Sequence, residues 1–255
     1  MIIYGINPVL EALRAGRVKE IRVAAGSLGR RSAEREGGRK NERLRELTAL
    51  ARDRGVRIRD VPPEVLDRDA RGGVHQGVLA DVDDVQDYSV EDLVRGASGP
   101  PLIVVLDSIE DPQNLGAILR TADAAGVDGV VIQSRRSAAL GGAAAKASAG
   151  AVAHIRIAEV VNIARALEDL KGVGVWTVGL AGEASTPYDS IDFTVPSAIV
   201  VGAEGSGLRR LVRERCDFLA RIPMAGHVGS LNVSVAAGVA LFEAVRQRSA
   251  FARKK

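Results

Sequence analysis

Four near-continuous apolar runs limit what the later part of this chain can fold into: LIVVL (102–106), GVVIQ (129–133), VGVWTVGL (173–180) and AIVVG (198–202). A strand with one face in water alternates apolar and polar residues, whereas one that is apolar throughout must be covered on both faces. The segments between and after the runs carry helical periodicity near 114–125, 159–171, 205–215 and 231–248. The stretch therefore reads as α/β, a parallel sheet with helices on both sides. In such sheets ligands bind beyond the carboxyl ends of the strands.

Residues 1–82 read as a separate small α/β unit. Asn7-Pro8 opens a helix through Leu13 with proline in its first turn. EIRVAA (20–25), VRIRDV (56–61) and GVLADV (77–82) read as strands, and a helix from 41 to about 54 places Leu44, Leu47, Leu50 and Ala51 on one stripe. Pro62-Pro63 starts a short helix, and residues 26–38 form a Gly/Arg/Ser-rich loop. Residues 83–101 are acidic and close on GASGPP, a linker composition, so the second domain spans 102–255. Within it, AALGGAAAKASAGA (138–151) is rich in small residues that permit close backbone packing.

Charge is divided unevenly between the two parts. Residues 1–80 carry 17 lysines and arginines against 11 acids, and residues 81–255 carry 18 against 21. An arginine-rich surface suits phosphate, because the guanidinium fork is bidentate and always charged; a solvated surface balanced by Glu34, Glu36, Glu42 and Glu46 is the competing reading. The lone Cys216 excludes an internal disulfide and a cysteine-based zinc cluster, and His75, His154 and His227 are not spaced as metal ligands. No metal is expected. Neither a secretory signal nor an apolar run long enough for a bilayer is present, so the expected compartment is the cytoplasm.

Three polar constellations follow strand ends. LDSIEDPQNLGAILRTADAAGV places Asn114 at the mouth of a helix that carries Arg120 among Leu115, Ile118, Leu119 and Ala122. Asn114 reads equally as a helix cap, but an arginine in so apolar a helix calls for an anionic partner. In VVGAEGSGLRRL, glycines at 202, 205 and 207 allow close backbone approach, while Glu204 would repel a phosphate and favours a neutral or cationic ligand. The order G-x-x-G-x-G after the last long strand is not a dinucleotide fingerprint, which argues against a nucleotide-dependent oxidoreductase. In RIPMAGHVGSLNVSVAAGVALFEAVRQR, Ser230 reads as the cap of a helix that buries Val233, Ala237, Leu241 and Val245, and Asn232 sits in its first turn. Ile222 and Met224 read more readily as core than as ligand contacts.

Together NLGAILRTA, VVGAEGSGL and IPMAGHVGSLNVSVA resemble, in order and spacing, the three signature motifs of the SpoU/TrmH family of RNA ribose 2′-O-methyltransferases, within the SPOUT class. YGINPVLEAL, VHQGVLA and LFEAVRQRS are similar to the bacterial subgroup that methylates a guanosine ribose of 23S ribosomal RNA. The resemblance implies S-adenosylmethionine held in a C-terminal trefoil knot by Gly202, Ile222 and Leu231, with Met224 and Leu180 as further cofactor contacts. It implies reactive-site roles for Asn114, Arg120, Glu204, Ser230 and Asn232, an RNA-binding N-terminal domain and a homodimer. Arg120 is expected to stabilise the developing alkoxide, oriented by Asn114 and Glu204. A transfer-RNA methyltransferase and a non-catalytic ribosome-assembly factor are the alternatives.

Overall fold

The computed structural model describes residues 1–26, 38–83, 88–134, 140 and 142–253. Most of the expected loop at 26–38, and the start of the Ala/Gly-rich stretch, lie outside the described residues. In chain order the elements are β1 (Ile2–Tyr4), α1 (Ile6–Arg14), β2 (Val18–Ala24), α2 (Gly38–Asp53), β3 (Arg57–Val61), α3 (Pro63–Ala70), β4 (Val78–Val82), α4 (Val90–Arg95), β5 (Leu102–Asp107), α5 (Pro112–Ala124), β6 (Gly129–Gln133) and α6 (Gly142–Ala147). There follow β7 (Ile157–Val160), α7 (Ile163–Gly172), β8 (Trp176–Leu180), β9 (Thr186–Pro187), β10 (Ser197–Gly202), α8 (Arg210–Arg215), β11 (Phe218–Arg221) and α9 (Val233–Ala252). They pack as two compact units, Met1–Val85 with Ala139–His154 and Gln86–Ala138 with Ile155–Lys255.

The first unit is built on a four-stranded sheet of order β1-β4-β2-β3, in which only β2 and β3 run parallel. Side chains alternate across a strand, and β4 shows the consequence. Val78, Ala80 and Val82 join Ile21, Val23, Leu10, Leu13, Leu44 and Leu47 in one core, while Leu79 joins Tyr4 and Leu66 in another. Helices α1 and α2 therefore cover one face and α3 the other. Burying each of these leucines contributes about 2 kcal/mol before the entropy of ordering is subtracted. The loop that precedes β4 caps α1, since Gln76 Oε1 accepts the Ile6 N–H at 3.1 Å.

The second unit is a seven-stranded, all-parallel sheet of order β7-β6-β5-β10-β8-β11-β9. The apolar runs are its central strands, and every residue of β5, β6 and β10 is buried. Ile103, Val105, Val131, Ala198 and Val200 pack with α4, α7 and α8. By alternation Val104, Leu106, Ile199 and Val201 face the other side, where α9 lies on β10 and also packs on α5.

The elements depart from sequence expectation at several places. The acidic 83–101 stretch contains α4, whose Ser89 and Asp92 form a reciprocal capping box and whose Val90 and Leu93 enter the core. Residues 159 and 160, expected to open a helix near 159–171, instead end strand β7; the helix begins only after the Asn162 cap. The helix expected from 205 begins at Arg210, because Gly205 and Gly207 take φ of 81° and 65°, which a right-handed helix excludes.

Candidate active site

All strands of the second sheet point the same way, so the loops after β5, β8, β10 and β11 leave from one edge. The loop after β5 turns into α5 through Asp111, whose carboxylate accepts the backbone N–H groups of Gln113 at 3.0 Å and Asn114 at 3.2 Å. Pro112 follows at the first helical position, where no donor is lost. Asp111 is thus the cap, and the Asn114 side chain is left free to turn inward, 8% exposed. Its Nδ2 donates to Glu204 Oε2 at 3.2 Å, and its Oδ1 accepts from Asn232 Nδ2 at 3.0 Å.

Asn232 is itself the cap of α9, its Oδ1 accepting from Ser234 N at 2.9 Å and Ser234 Oγ at 2.6 Å. Residues from all three motifs are therefore joined in a single chain, Ser234 to Asn232 to Asn114 to Glu204, with every donor oriented toward the carboxylate. Hydrogen bonds aligned in this way polarise one another and hold a fixed geometry. None of the described buried side-chain polar atoms lacks a partner.

Two sequence expectations need correction here. Ser230 does not cap α9; it is exposed, and Asn232 does the capping, because the helix starts two residues later than the pattern suggested. Nor do Asn114 and Glu204 orient Arg120. Six residues along a helix is a displacement of about 9 Å and a rotation of about 120°, so Arg120 leaves α5 on another side from Asn114. Arg120 is exposed and has no hydrogen-bond or ion-pair partner among the described residues, despite its apolar neighbours in sequence.

Three of the expected cofactor residues stand at or just beyond the ends of neighbouring strands. Leu180 and Gly202 end β8 and β10, which are paired, and Ile222 follows β11, in which Ala220 is the register partner of Leu180. Leu180, Ile222, Met224 and Leu231 are half-buried, and Gly202 is buried. Met224 and Leu231 belong to the 222–232 segment, which has no regular secondary structure. Gly202 has a reason of its own to lack a side chain, since a Cβ there would stand 2.2 Å from the Gly207 carbonyl group. Asp111 and Ser234 were not singled out from sequence as functional; the Asp-Pro pair that opens α5 was the available signal. Among the described residues no three His, Cys, Asp or Glu side chains group to hold a metal ion.

Loops leaving the carboxyl edge of a parallel sheet, two of them joined by a locked amide–carboxylate chain, mark the place where α/β proteins bind ligands. Residues 101–242 match the SpoU rRNA Methylase family, and residues 2–88 match the family described as RNA 2′-O ribose methyltransferase substrate binding. The chain belongs to the SpoU rRNA methylase family. It is 47% identical to the 23S rRNA (guanosine-2′-O-)-methyltransferase RlmB of Pseudomonas syringae pv. tomato, over 97% of this chain and 96% of that one. The RlmB of Pseudomonas aeruginosa is 44% identical with the same coverage. The crystal structure of the SpoU methyltransferase AviRb from Streptomyces viridochromogenes in complex with AdoMet superposes with a TM-score of 0.76, at 26% identity, over 98% of this chain and 91% of that one.

Proposed function

We propose that this protein transfers a methyl group from S-adenosylmethionine to the ribose 2′-hydroxyl of a guanosine in 23S ribosomal RNA, as a cytoplasmic homodimer. The observation that carries the reading is the hydrogen-bonded chain from Ser234 through Asn232 and Asn114 to Glu204, which draws three distant motifs into one site. The RlmB relatives over nearly the whole chain, and the substrate-binding family at 2–88, favour ribosomal RNA as the substrate.

The residues present fit the cofactor. Leu180, Ile222, Met224 and Leu231 offer half-buried apolar surface for an adenosine, Gly202 backbone at a strand end, and Glu204 a negative charge suited to a cation. The wrapping of the 203–208 and 222–232 loops into a trefoil knot is part of this reading, as is Ser230 as a further contact of the reacting ribose. S-adenosylmethionine supplies an electrophilic methyl group on sulfur. Asn114 and Asn232, locked to each other and to Glu204, hold the wall of the site in one geometry, so that O2′ is kept in line for displacement.

Arg120 stabilises the negative charge that develops on O2′ and the adjacent phosphate. A guanidinium remains protonated, so it acts through charge and hydrogen bonds and not as the base. The 2′-hydroxyl proton would pass to solvent water as the O–C bond forms and the methyl–sulfur bond breaks, with S-adenosylhomocysteine leaving. Its exposure and separation from the Asn114 chain favour a composite site, in which Arg120 of one subunit completes the site of the other. The unit that contains residues 1–82 supplies phosphate affinity, and the unit built on the parallel sheet selects and modifies the ribose; only RNA offers a 2′-hydroxyl.

Mass-spectrometric mapping of 2′-O-methyl groups in 23S ribosomal RNA, from cells with and without the gene, tests the assignment. One guanosine should lose its methyl group when the protein is absent, and an unchanged map refutes the substrate. In single turnover Arg120→Lys should slow transfer by about a hundredfold; a rate close to wild type would remove guanidinium geometry from the mechanism.

A further inference from the structure

Asp107, the last residue of β5, is fully buried at 0% exposure. Its carboxylate is engaged by one distant residue. Oδ2 accepts the backbone N–H of Arg209 at 2.8 Å, and Oδ1 accepts Arg209 Nε at 2.6 Å and lies 2.5 Å from Nη2. Arg209 Nη2 also donates to Gln133 Oε1 at 2.9 Å, and Gln133 Nε2 donates to the Val161 carbonyl at 3.2 Å. Gln133 ends β6, the neighbour of β5, so the guanidinium ties two strand ends together.

Asp107 is also the register partner of Gly202 on the other side. The loop 203–208 thus leaves the sheet beside Asp107 and is brought back to the same carboxylate by Arg209. Within the loop Gly207 N donates to Ala203 O at 2.9 Å, and the Gly207 carbonyl lies against Gly202, where a side chain would collide. Glu204 is carried on this closed loop, and its place opposite Asn114 follows from where both loop ends are held.

We propose that Asp107 and Arg209 are positioning residues for methyl transfer: their ion pair, buried on the carboxylate side and braced by Gln133, closes the 203–208 loop and so holds Glu204 against Asn114. This rests on the function proposed above. Charge-assisted hydrogen bonds of this kind are short and directional. Lysine keeps the charge but cannot bond Asp107 and Gln133 with a planar guanidinium, which makes Arg209→Lys the informative substitution.

Single-turnover methylation of an rRNA fragment by wild type, Arg209→Lys, Glu204→Gln and the double variant tests the route of action. Arg209→Lys should slow the transfer step by about a hundredfold with RNA affinity unchanged, and in the Glu204→Gln background it should add nothing. A purely structural role would slow both backgrounds by the same factor; that result, or a wild-type rate in Arg209→Lys, overturns the proposal. Asp107→Asn, which keeps an acceptor for the Arg209 N–H, repeats the cycle from the other partner. If it fails to fold, Arg209→Lys still decides, because that side chain is 38% exposed. Amide hydrogen exchange over 203–208 reads the loop without any methyl transfer. Faster exchange in Arg209→Lys is expected, and unchanged exchange overturns the clamp even where the RNA assignment itself is what fails.

Discussion

At the scale of single residues, the second unit repeatedly uses a charged side chain to satisfy backbone groups where elements meet. Asp217 accepts from Thr177 N at 2.9 Å, Thr177 Oγ1 at 2.7 Å and Lys171 Nζ at 2.9 Å. Burial pushes its carboxyl up, but the bonds from Lys171 and Thr177 outweigh that and hold it below the ordinary carboxylate range. A depressed carboxylate adds stability above its unfolded pKa, about 3.9, and loses it as pH falls through the folded value. Asp217→Asn should therefore cost about 2 kcal/mol at neutral pH, and the difference in melting temperature from wild type should begin to narrow only below about pH 4, the unfolded value, and shrink further as pH falls through the lower folded one. A gap independent of pH would mean that packing, not ionisation, sets the cost. The VRQRS ending has a similar explanation. Arg248 donates to the carbonyls of Phe193 at 2.8 Å and Pro101 at 2.9 Å, and Gln247 accepts from Phe193 N at 2.9 Å, fastening α9 to the 191–195 segment.

At the scale of elements, the least anticipated feature is the Ala/Gly-rich segment, whose described residues pack in the first unit although they fall inside the SpoU methylase match. Arg17 Nη1 donates to the Val152 carbonyl at 3.1 Å, His154 Nε2 lies 3.2 Å from Glu11 Oε2, and Ala153 packs on the core under α1. Gly150, at φ 96°, lets α1 approach; a Cβ would stand 2.5 Å from that of Glu11. Both the backbone conformation and the contact oppose a side chain, so Gly150→Ala should cost about 2 kcal/mol. Faster amide exchange in α6 and α1 would report it, with the sheet of the second unit unaffected; exchange as slow as wild type would show that the segment has room to adapt.

At the scale of the whole molecule, the proposed dimer has a candidate surface on α9. Val235 and Phe242 are each 50% exposed and lie seven residues apart, hence on one side of the helix. A large apolar group left in water on the helix that packs on α5 is what a self-complementary interface would cover. Phe242→Glu should convert a dimer to a monomer in sedimentation equilibrium and abolish methylation, if Arg120 acts across the interface. A monomeric variant that retains full activity would restrict the reaction to one chain.

How far the sequence reaches differs between these scales for a physical reason. The apolar runs, alternating with helical segments, pointed to a parallel sheet covered on both faces, and the motif order led to the SpoU rRNA methylase family. Local rules also sufficed for Asn114, Glu204 and Asn232 as polar residues near strand ends. The tertiary structure alone decided which of them touch. It separated Arg120 from Asn114 by helical rotation, moved the α9 cap from Ser230 to Asn232, and revealed Arg209 as the partner of Asp107 across about a hundred residues of chain. Hydrogen bonds between loops far apart in sequence leave no periodic trace; they depend on which strand, here β10, is inserted beside β5.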